Sequence, residues 1–453
     1  HNKGLPLSVR SAFYPLLGEN IWGWPGNIID LFAVVSTIFG LATTIGLGST
    51  QAASGLAHIL GINETIWLQI TLIAVMTGLA VLFVLRGMDG GVKLLSDINM
   101  GVAFALLIFV IIAGPTVMIF TGFGKHLLSY IAGTPALTDW RDRPDLSWFH
   151  DWTIFYWAWW ISWSPFVGMF IARISRGRSI REYFSVVLLA PFSICVIWFS
   201  AFGETAIQQY DGGVGELANG IKSSGLVLFQ MLENMPIPMI TSIVAITLLI
   251  VFIVTSADSG ALVVDTITSG GKTDAPVTQR IFWVCSLGLT ASALLYGGGE
   301  DVLQSLQAGT ITAAFPFTII LLLSCWSLYL GLSDEHKKIK IFISEETAAN
   351  ESSSVVVGDG NDNETPCATS SNFVNTDDPC GDATKGETSV VASTADTDQS
   401  FHPHRECYRV CTAGTTTSGA TSFVEIGTAT LADDFNSMGT VDQCLRLYVT
   451  CIL

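Results

Sequence analysis

The chain has 453 residues, of which half are hydrophobic and 13% are charged, and its mean hydropathy is +0.52. These values are typical of integral membrane proteins. The net charge of −17 lies mainly near the end of the chain, because 19 of the 38 acidic residues follow residue 333. The sequence contains no basic patch of the kind that binds nucleic acid. The sequence shows no nucleophile–base pair, metal-ligand cluster or cofactor loop, and it therefore gives no indication of an enzyme or a metal site.

Eight apolar segments follow one another along the chain, each near the length of about 20 residues that crosses a bilayer. They predict membrane spans at residues 28–57, 65–86, 99–122, 153–174, 183–203, 236–258, 280–297 and 308–331. The first span is long and rich in glycine, which indicates close packing against its neighbours. The pattern predicts an all-α polytopic membrane protein.

The distribution of Lys and Arg predicts that the N-terminus lies on the cytoplasmic side, because basic residues concentrate in cytoplasmic loops. In this orientation 13 basic residues of the first 340 fall inside and four fall outside. The densest group, residues 173–181, follows the fourth span directly. The outer loop 123–151 begins with an amphipathic stretch, so we expect a helix lying on the outer membrane surface.

The start of the fourth span, residues 152–163, contains five tryptophans and one tyrosine. A helix aligns one aromatic stripe at i, i+4, i+7 and i+11, namely Trp159, Trp163, Phe166 and Phe170. A second line contains Tyr156, Trp160 and Trp163. A quaternary ammonium ion has no N–H to donate and binds aromatic faces, each contributing about 0.5–2 kcal/mol. The alternative is an interfacial aromatic belt, but a belt covers one or two turns and this stripe covers about four.

Four hydroxyl or carboxyl side chains lie close together near the end of the sixth span, at Thr255, Ser256, Asp258 and Ser259. Hydroxyl oxygens at membrane depth, beside loosened backbone carbonyls, suit a dehydrated sodium ion. A carboxylate within the membrane is a candidate functional group. Alternatively, the hydroxyls bond back to their own helix and hold it to its neighbours. Asp258 and Asp265 can equally be helix-end charges that face the cytoplasm.

The composition changes after about residue 333. Residues 344–400 are rich in Ser, Thr, Asp, Asn and Glu and contain few aromatic side chains, which predicts disorder. The chain is therefore expected to have two parts, a transmembrane core at 1–333 and a disordered, acidic, cytoplasmic tail at 334–453.

Several segments resemble the betaine/choline/carnitine transporter family. The most specific is residues 151–178, which contains the tryptophan-rich run, and 252–260, 10–15 and 36–48 also resemble family sequence. The resemblance covers about residues 5–332. It implies a twelve-helix secondary transporter with the inverted five-helix repeat of the leucine-transporter fold, of which about eight helices are present here. It also implies a homotrimer.

The resemblance implies roles for nine residues by matching motif positions. The implied substrate contacts are Tyr156, Trp157, Trp159, Trp160 and Trp163. The implied gate residues are Phe166 and Phe170. The implied ligands of a sodium ion are Thr255 and Ser256. Na⁺ is therefore expected as the coupling ion, and no other cofactor or metal is expected.

The implied function is uptake of a quaternary-ammonium osmolyte, such as glycine betaine, choline or carnitine, across the plasma membrane by alternating access. A sodium-independent exchanger and a proton-coupled carrier are alternatives within transport, and a transport-inactive membrane scaffold or sensor is an alternative outside it. The first span matches the family's fifth helix. Four helices would precede it in the family, and without them the chain is expected not to transport.

Overall fold

The computed structural model describes residues 4–354, except 87–88, 142, 176–178, 222, 273–275 and 300. All regular structure in these described residues is helical, which confirms the predicted all-α class. One compact unit includes the chain up to Phe342, and the described part of the second unit, Ile343–Thr430, is the end of the last helix. The predicted inverted repeat stays a prediction.

The main helices, in chain order, are α1 (Trp24–Leu60), α2 (Ile66–Arg86), α3 (Asp89–Ala113), α4 (Thr116–Thr138), α5 (Phe155–Ile174) and α6 (Ile180–Trp198). They are followed by α7 (Glu204–Asp211), α8 (Val227–Glu233), α9 (Pro238–Thr268), α10 (Val277–Gly298) and α11 (Val302–Ser354). π-helical turns lie at Phe149–Ile154, directly before α5, and at Phe199–Gly203, between α6 and α7. Short helical turns form the N-terminal segment from Val9 to Trp22.

Within the described residues, seven helical segments are long and apolar enough to cross a membrane. They confirm a multi-pass membrane protein and coincide with seven of the eight predicted spans. The predicted span 153–174 corresponds to α5, whose length is sufficient. It falls outside the set of seven because its many tryptophans lower its mean hydropathy.

Two predicted spans have different limits in the structure. The prediction at 99–122 joined two helices, since α3 ends at Ala113 and α4 begins at Thr116. Pro115 separates them, because proline lacks an N–H and disfavours the helical conformation of the residue before it. The span predicted at 236–258 continues to Thr268. The stretch at the start of loop 123–151 is helical, as expected, and forms the later part of α4. Its position on the outer membrane surface stays a prediction.

Helix α1 is the centre of the core and contacts α2, α5, α9 and α10. Most of its length is buried inside the protein rather than exposed to lipid. Gly48 allows this close packing, because a Cβ at this position would collide with the side chain of Ile253 on α9. The glycines of the first span therefore act as predicted, by letting neighbouring helices approach.

The N-terminal segment is attached to α1 through Asp30, whose side chain is buried. Ser8 Oγ donates to both carboxylate oxygens of Asp30, at 2.7 and 2.6 Å. Arg10 donates from its backbone N at 3.0 Å and from Nε at 2.5 Å. Ser327 of α11 donates to the carbonyl of Ala12 at 2.7 Å. The segment therefore lies across the predicted cytoplasmic ends of α1 and α11.

Helix α11 continues through residue 333, the expected boundary of the core, and ends at Ser354. Residues 344–354, which were expected to be disordered, are helical. Glu and Ala, which favour helices, make up much of 345–351 and allow α11 to continue past its apolar part. The remaining predicted tail, 355–453, lies outside the described residues.

Candidate functional site

The loop that leads into α5 is organised by Arg143. Its guanidinium donates to Asp145 Oδ2 at 2.8 Å and to the carbonyls of Ala136 and Asp139 at 2.9 and 3.2 Å, beside the end of α4. It also lies 4.9 Å from the centre of the Phe149 ring. The hydrogen bond from Arg143 lowers the pKa of Asp145 below its ordinary value. The ion pair therefore persists as the pH falls, until Asp145 becomes protonated below the usual carboxyl range.

The aromatic residues of α5 form two groups of ring contacts, one around Trp159 and one around Phe166. Trp159 stacks on Phe155 with centroids 5.6 Å apart and an interplanar angle of 13°. Tyr156 meets Trp159 edge to face at 5.7 Å. One turn further, Trp163 meets Phe166 edge to face at 5.4 Å, and Phe166 lies 6.4 Å from Phe170. Three rings of the predicted stripe, Trp163, Phe166 and Phe170, therefore follow one another in contact, and Trp159 belongs to the first group.

The indole nitrogens of Trp159 and Trp163 share two acceptors on α1. Trp159 Nε1 donates to the Gly40 carbonyl at 3.2 Å and to Thr44 Oγ1 at 3.3 Å. Trp163 Nε1 lies 3.2 Å from each of the same two oxygens. Thr44 Oγ1 in turn donates to the Gly40 carbonyl at 3.0 Å. The nitrogen edges of both indoles are therefore held against α1.

Helices α1 and α5 touch at Gly40. A Cβ there would lie 2.9 Å from Ser162 Cβ and 3.1 Å from Trp163 Cδ1. Only a residue without a side chain leaves room for this contact, so Gly40 brings its own carbonyl within reach of the indoles.

A cavity of about 300 Å³ lies beside this cluster, a volume at the lower end of the range for small-molecule sites. Its aromatic wall comes from α5 and the turn before it, and consists of Trp152, Phe155, Tyr156 and Trp159. Residues from α1, α9, α11 and the loop before α8 complete it. They include Thr44, Leu47, Gln51, Ser224, Phe252, Ile253 and Leu306. None of the described residues that line it is charged.

The structure divides the five predicted substrate contacts. Tyr156 and Trp159 line this cavity. Trp163 is only 2% exposed and lies in the apolar core. Trp157 is 65% exposed and lines a separate cavity beside Phe149 and α11. Trp160 is partly exposed and is not among the described residues that line the first cavity. The five residues therefore do not line one common cavity.

The two predicted gate residues are in the same core. Phe166 is fully buried, and Phe170 is half-buried and packs against the same group of side chains. Their rings follow Trp163 towards the predicted cytoplasmic side. The role of Phe166 and Phe170 as gate residues stays a prediction.

The predicted sodium ligands lie on the uninterrupted helix α9. Thr255 Oγ1 donates to the carbonyls of Val251 and Phe252, both at 3.0 Å, which is the back-bonding arrangement. Ser256 is buried. Asp258 pairs with Arg280 of α10 at 2.8 Å. It is therefore an interhelical ion-pair partner inside α9, rather than a charge at the end of that helix.

Comparison with known proteins identifies the family of the chain. Residues 1–337 match the family described as BCCT, the betaine/carnitine/choline family transporter. The chain belongs to this family. The match confirms the resemblance seen in the tryptophan-rich segment, and it agrees with the prediction that the protein is a transporter rather than an enzyme.

Three relatives show how closely this member of the betaine/carnitine/choline transporters resembles others. It is 53% identical to Glycine betaine transporter 1 of Vibrio parahaemolyticus over 74% of this chain and 64% of the relative. It is 54% identical to a glycine betaine/proline/choline transporter of the same organism, over 74% and 60%. It is 42% identical to a glycine betaine transporter of Acinetobacter baylyi, over 74% and 51%. The chain thus spans between half and two thirds of the length of these relatives.

Sequence reasoning missed four residues of the site in this family member: Gly40, Thr44, Gln51 and Ser224. The first three lie in the glycine-rich first span, which was interpreted only as a packing helix. Buried hydroxyls beside glycines in that span were an available signal for Gly40 and Thr44. Ser224 lies in a polar loop whose composition gave no indication of a role.

Proposed function

We propose that the intact protein takes up a small quaternary-ammonium osmolyte across the plasma membrane by alternating access, coupled to Na⁺. Glycine betaine and choline are the first substrates to test, because both occur in the names of its relatives, and carnitine shares their trimethylammonium group. The observation that carries the proposal is the cavity wall formed by Trp159, Phe155 and Tyr156.

The chemistry of this wall suits a cation that cannot donate a hydrogen bond. Methyl groups around the nitrogen spread its charge over an apolar surface, which packs against ring faces and is attracted by their quadrupoles. Phe155 and Trp159 are nearly parallel, and Tyr156 meets Trp159 edge to face, so rings of two orientations surround one end of the cavity. A hydrated sodium ion or a protonated primary amine would bind such a wall less favourably, because each would lose hydrogen bonds or water that the rings do not replace.

Other residues that line the cavity supply neutral polar groups for the other end of the substrate. Gln51 lies seven residues after Thr44 on α1, which corresponds to about 10 Å along a helix, and Ser224 lies on the neighbouring loop. An amide N–H and a hydroxyl can donate to a carboxylate or to an alcohol oxygen. This arrangement accepts both betaine and choline, whose polar ends differ.

The support for sodium coupling is narrower. It consists of the buried Ser256 and the neighbouring Thr255, which the motif resemblance implies as hydroxyl ligands of the family's sodium site. Sodium-independent exchange and proton coupling are the alternatives, and replacing Na⁺ by K⁺ in the uptake buffer separates them. A homotrimeric assembly, which the family resemblance implies, and a cytoplasmic tail, which the distribution of Lys and Arg predicts, complete the proposal.

Uptake of radiolabelled glycine betaine by proteoliposomes tests the assignment. Trp159→Leu removes a ring that lines the cavity, and we expect saturable uptake to fall at least tenfold, because cation–π attraction and ring stacking are both lost. Trp157→Leu is the matched control. It removes the same ring type from the same helix, but from a side chain outside the cavity, and it should leave uptake within about twofold of the wild type.

Two results would contradict this assignment. Equal uptake by the wild type and Trp159→Leu, with equal protein in the vesicles, would remove the cavity from the substrate pathway. Loss of uptake in Trp157→Leu alone would move the pathway to the other face of α5.

A further inference from the structure

We propose that Thr44 is a positioning residue for the two indoles, and that its hydroxyl sets the affinity for the quaternary-ammonium group. The proposal rests on the function proposed above and adds a residue on a different helix from the aromatic run. Thr44 lies 115 residues before Trp159 and 119 residues before Trp163 in the sequence.

The hydroxyl of Thr44 uses its full hydrogen-bonding capacity in this cluster. A threonine hydroxyl has one proton to donate and two lone pairs to accept with. Its proton goes to the Gly40 carbonyl at 3.0 Å. Its lone pairs face Trp159 Nε1 at 3.3 Å and Trp163 Nε1 at 3.2 Å. One side chain on α1 therefore connects with both indoles of α5.

The Gly40 carbonyl cannot replace the hydroxyl for both indoles. It lies inside α1, where a carbonyl accepts the helical N–H bond from four residues later, and it is already within reach of three side-chain donors. Without the Thr44 hydroxyl, the two indoles would compete for this single oxygen. A buried N–H without a partner is unfavourable, so one indole would rotate to find another acceptor.

Rotation of an indole would change the cavity directly. Trp159 both lines the cavity and stacks on Phe155 at an interplanar angle of 13°. Holding its nitrogen edge against α1 fixes the direction in which its face points. Thr44 itself lines the same cavity. The residue that accepts hydrogen bonds from both indoles therefore also borders the space proposed for the substrate.

The test compares three variants in which a hydroxyl is removed or kept. Thr44→Val keeps the shape of the side chain and removes its hydroxyl, and we expect the KM for glycine betaine to rise about tenfold with kcat little changed. Thr44→Ser keeps a hydroxyl and should remain within about twofold of the wild type. Thr43→Val is the matched control, because Thr43 Oγ1 bonds Thr310 Oγ1 at 2.5 Å on α11, away from the indoles.

A spectroscopic measurement separates positioning from a general loss of stability. The chain has 13 tryptophans, and ¹⁵N-indole labelling gives each an N–H signal in the NMR spectrum. Thr44→Val should shift the signals of Trp159 and Trp163 and leave the others in place, while Thr43→Val should shift neither. Gly40→Ala, which pushes against Ser162 and Trp163, provides a second variant that should move the same two signals.

The outcomes distinguish the two proposals. If the wild type neither binds nor transports betaine but Thr44→Val shifts the two indole signals, the proposed function fails and the positioning contact stands without its effect on affinity. If the wild type transports betaine and Thr44→Val leaves both KM and the indole signals unchanged, the inference is overturned. A KM rise in Thr44→Ser equal to that in Thr44→Val would also overturn it, because the hydroxyl would then not be the cause.

Discussion

Thr255 and Ser256 are neighbours on α9, but their hydroxyls have different surroundings. Thr255 bonds back to its own helix through the carbonyls of Val251 and Phe252, whereas Ser256 is buried against the neighbouring helices. A hydroxyl that donates its proton to a carbonyl keeps its lone pairs, so back-bonding leaves Thr255 able to coordinate a cation. Thr255 can therefore bond back to its own helix and coordinate a sodium ion at the same time.

Sodium dependence tests the role of this pair. Replacing both residues by alanine should raise the sodium concentration for half-maximal uptake at least fivefold, because two oxygen ligands are lost and a dehydrated ion needs several. Thr247→Ala is the control, since Thr247 back-bonds to Ile243 at 2.9 Å on the same helix but has an exposed side chain. An unchanged sodium curve in the double variant would remove these residues from the ion site.

Residue-level prediction succeeded for the ring contacts and failed for their orientation. The helical spacing of Trp163, Phe166 and Phe170 predicts neighbouring rings, and these rings lie 5.4 and 6.4 Å apart. The same spacing cannot say which ring faces a cavity, because that depends on how α5 is rotated against α1. The family resemblance implied Trp157 and Trp160 as substrate contacts alongside Trp159. In the structure Trp157 lines a different cavity, and Trp160 is not among the described residues that line the cavity of Trp159.

At the scale of elements, the N-terminal segment packs on α1 and α11 through an apolar cluster that includes Phe13, Ile21 and Phe317. It was noted in the sequence only as family-like residues near Arg10 and Tyr14. In the structure Asp30 accepts hydrogen bonds from Ser8 and Arg10, and it is 5% exposed. A buried carboxylate that receives several donors is stabilised by all of them together.

Hydrogen exchange tests this attachment. Asp30→Asn removes the charge that holds Arg10 and replaces one acceptor oxygen by an amide, so amide exchange in residues 5–14 should become at least tenfold faster. Exchange in the middle of α1, around Gly40, should stay unchanged, because that part of the helix lies more than two turns after Asp30. Glu19→Gln is the control, as Glu19 only accepts an exposed hydrogen bond from Tyr14 at 2.9 Å. Equal exchange in Asp30→Asn and the wild type would show that apolar packing alone holds the segment.

Helix limits were predictable where a local signal marks them. The apolar length predicted α2 within one residue at its start, 65 against Ile66, and correctly at its end, Arg86. Pro115 was such a signal between α3 and α4 and was overlooked within a continuous apolar run. No equivalent signal in the sequence indicated that α9 continues to Thr268. Asp258 follows an apolar run and so indicated the end of the span, and only the structure shows that it pairs with Arg280 inside the protein.

At the scale of the whole molecule, the transporter core and the acidic tail are expected to be independent in function. Deleting residues 355–453 leaves α11 complete, so a carrier should keep betaine uptake within about twofold of the full chain. A scaffold or sensor would instead lose its partner signal with the tail. Uptake by the truncated and full chains in the same vesicles provides the measurement. Loss of uptake on deletion, with normal insertion, would show that the tail belongs to the transport machinery.

The sequence by itself determined the membrane class, the approximate spans and the aromatic stripe. These depend on hydropathy and on the 3.6-residue period, both of which are properties of consecutive residues. Only the tertiary structure decided that Trp159 faces the cavity while Trp163 is buried, and that Gly40 and Thr44 hold both rings. The physical reason is that these contacts join residues more than 100 positions apart, and the relative rotation of two packed helices selects them.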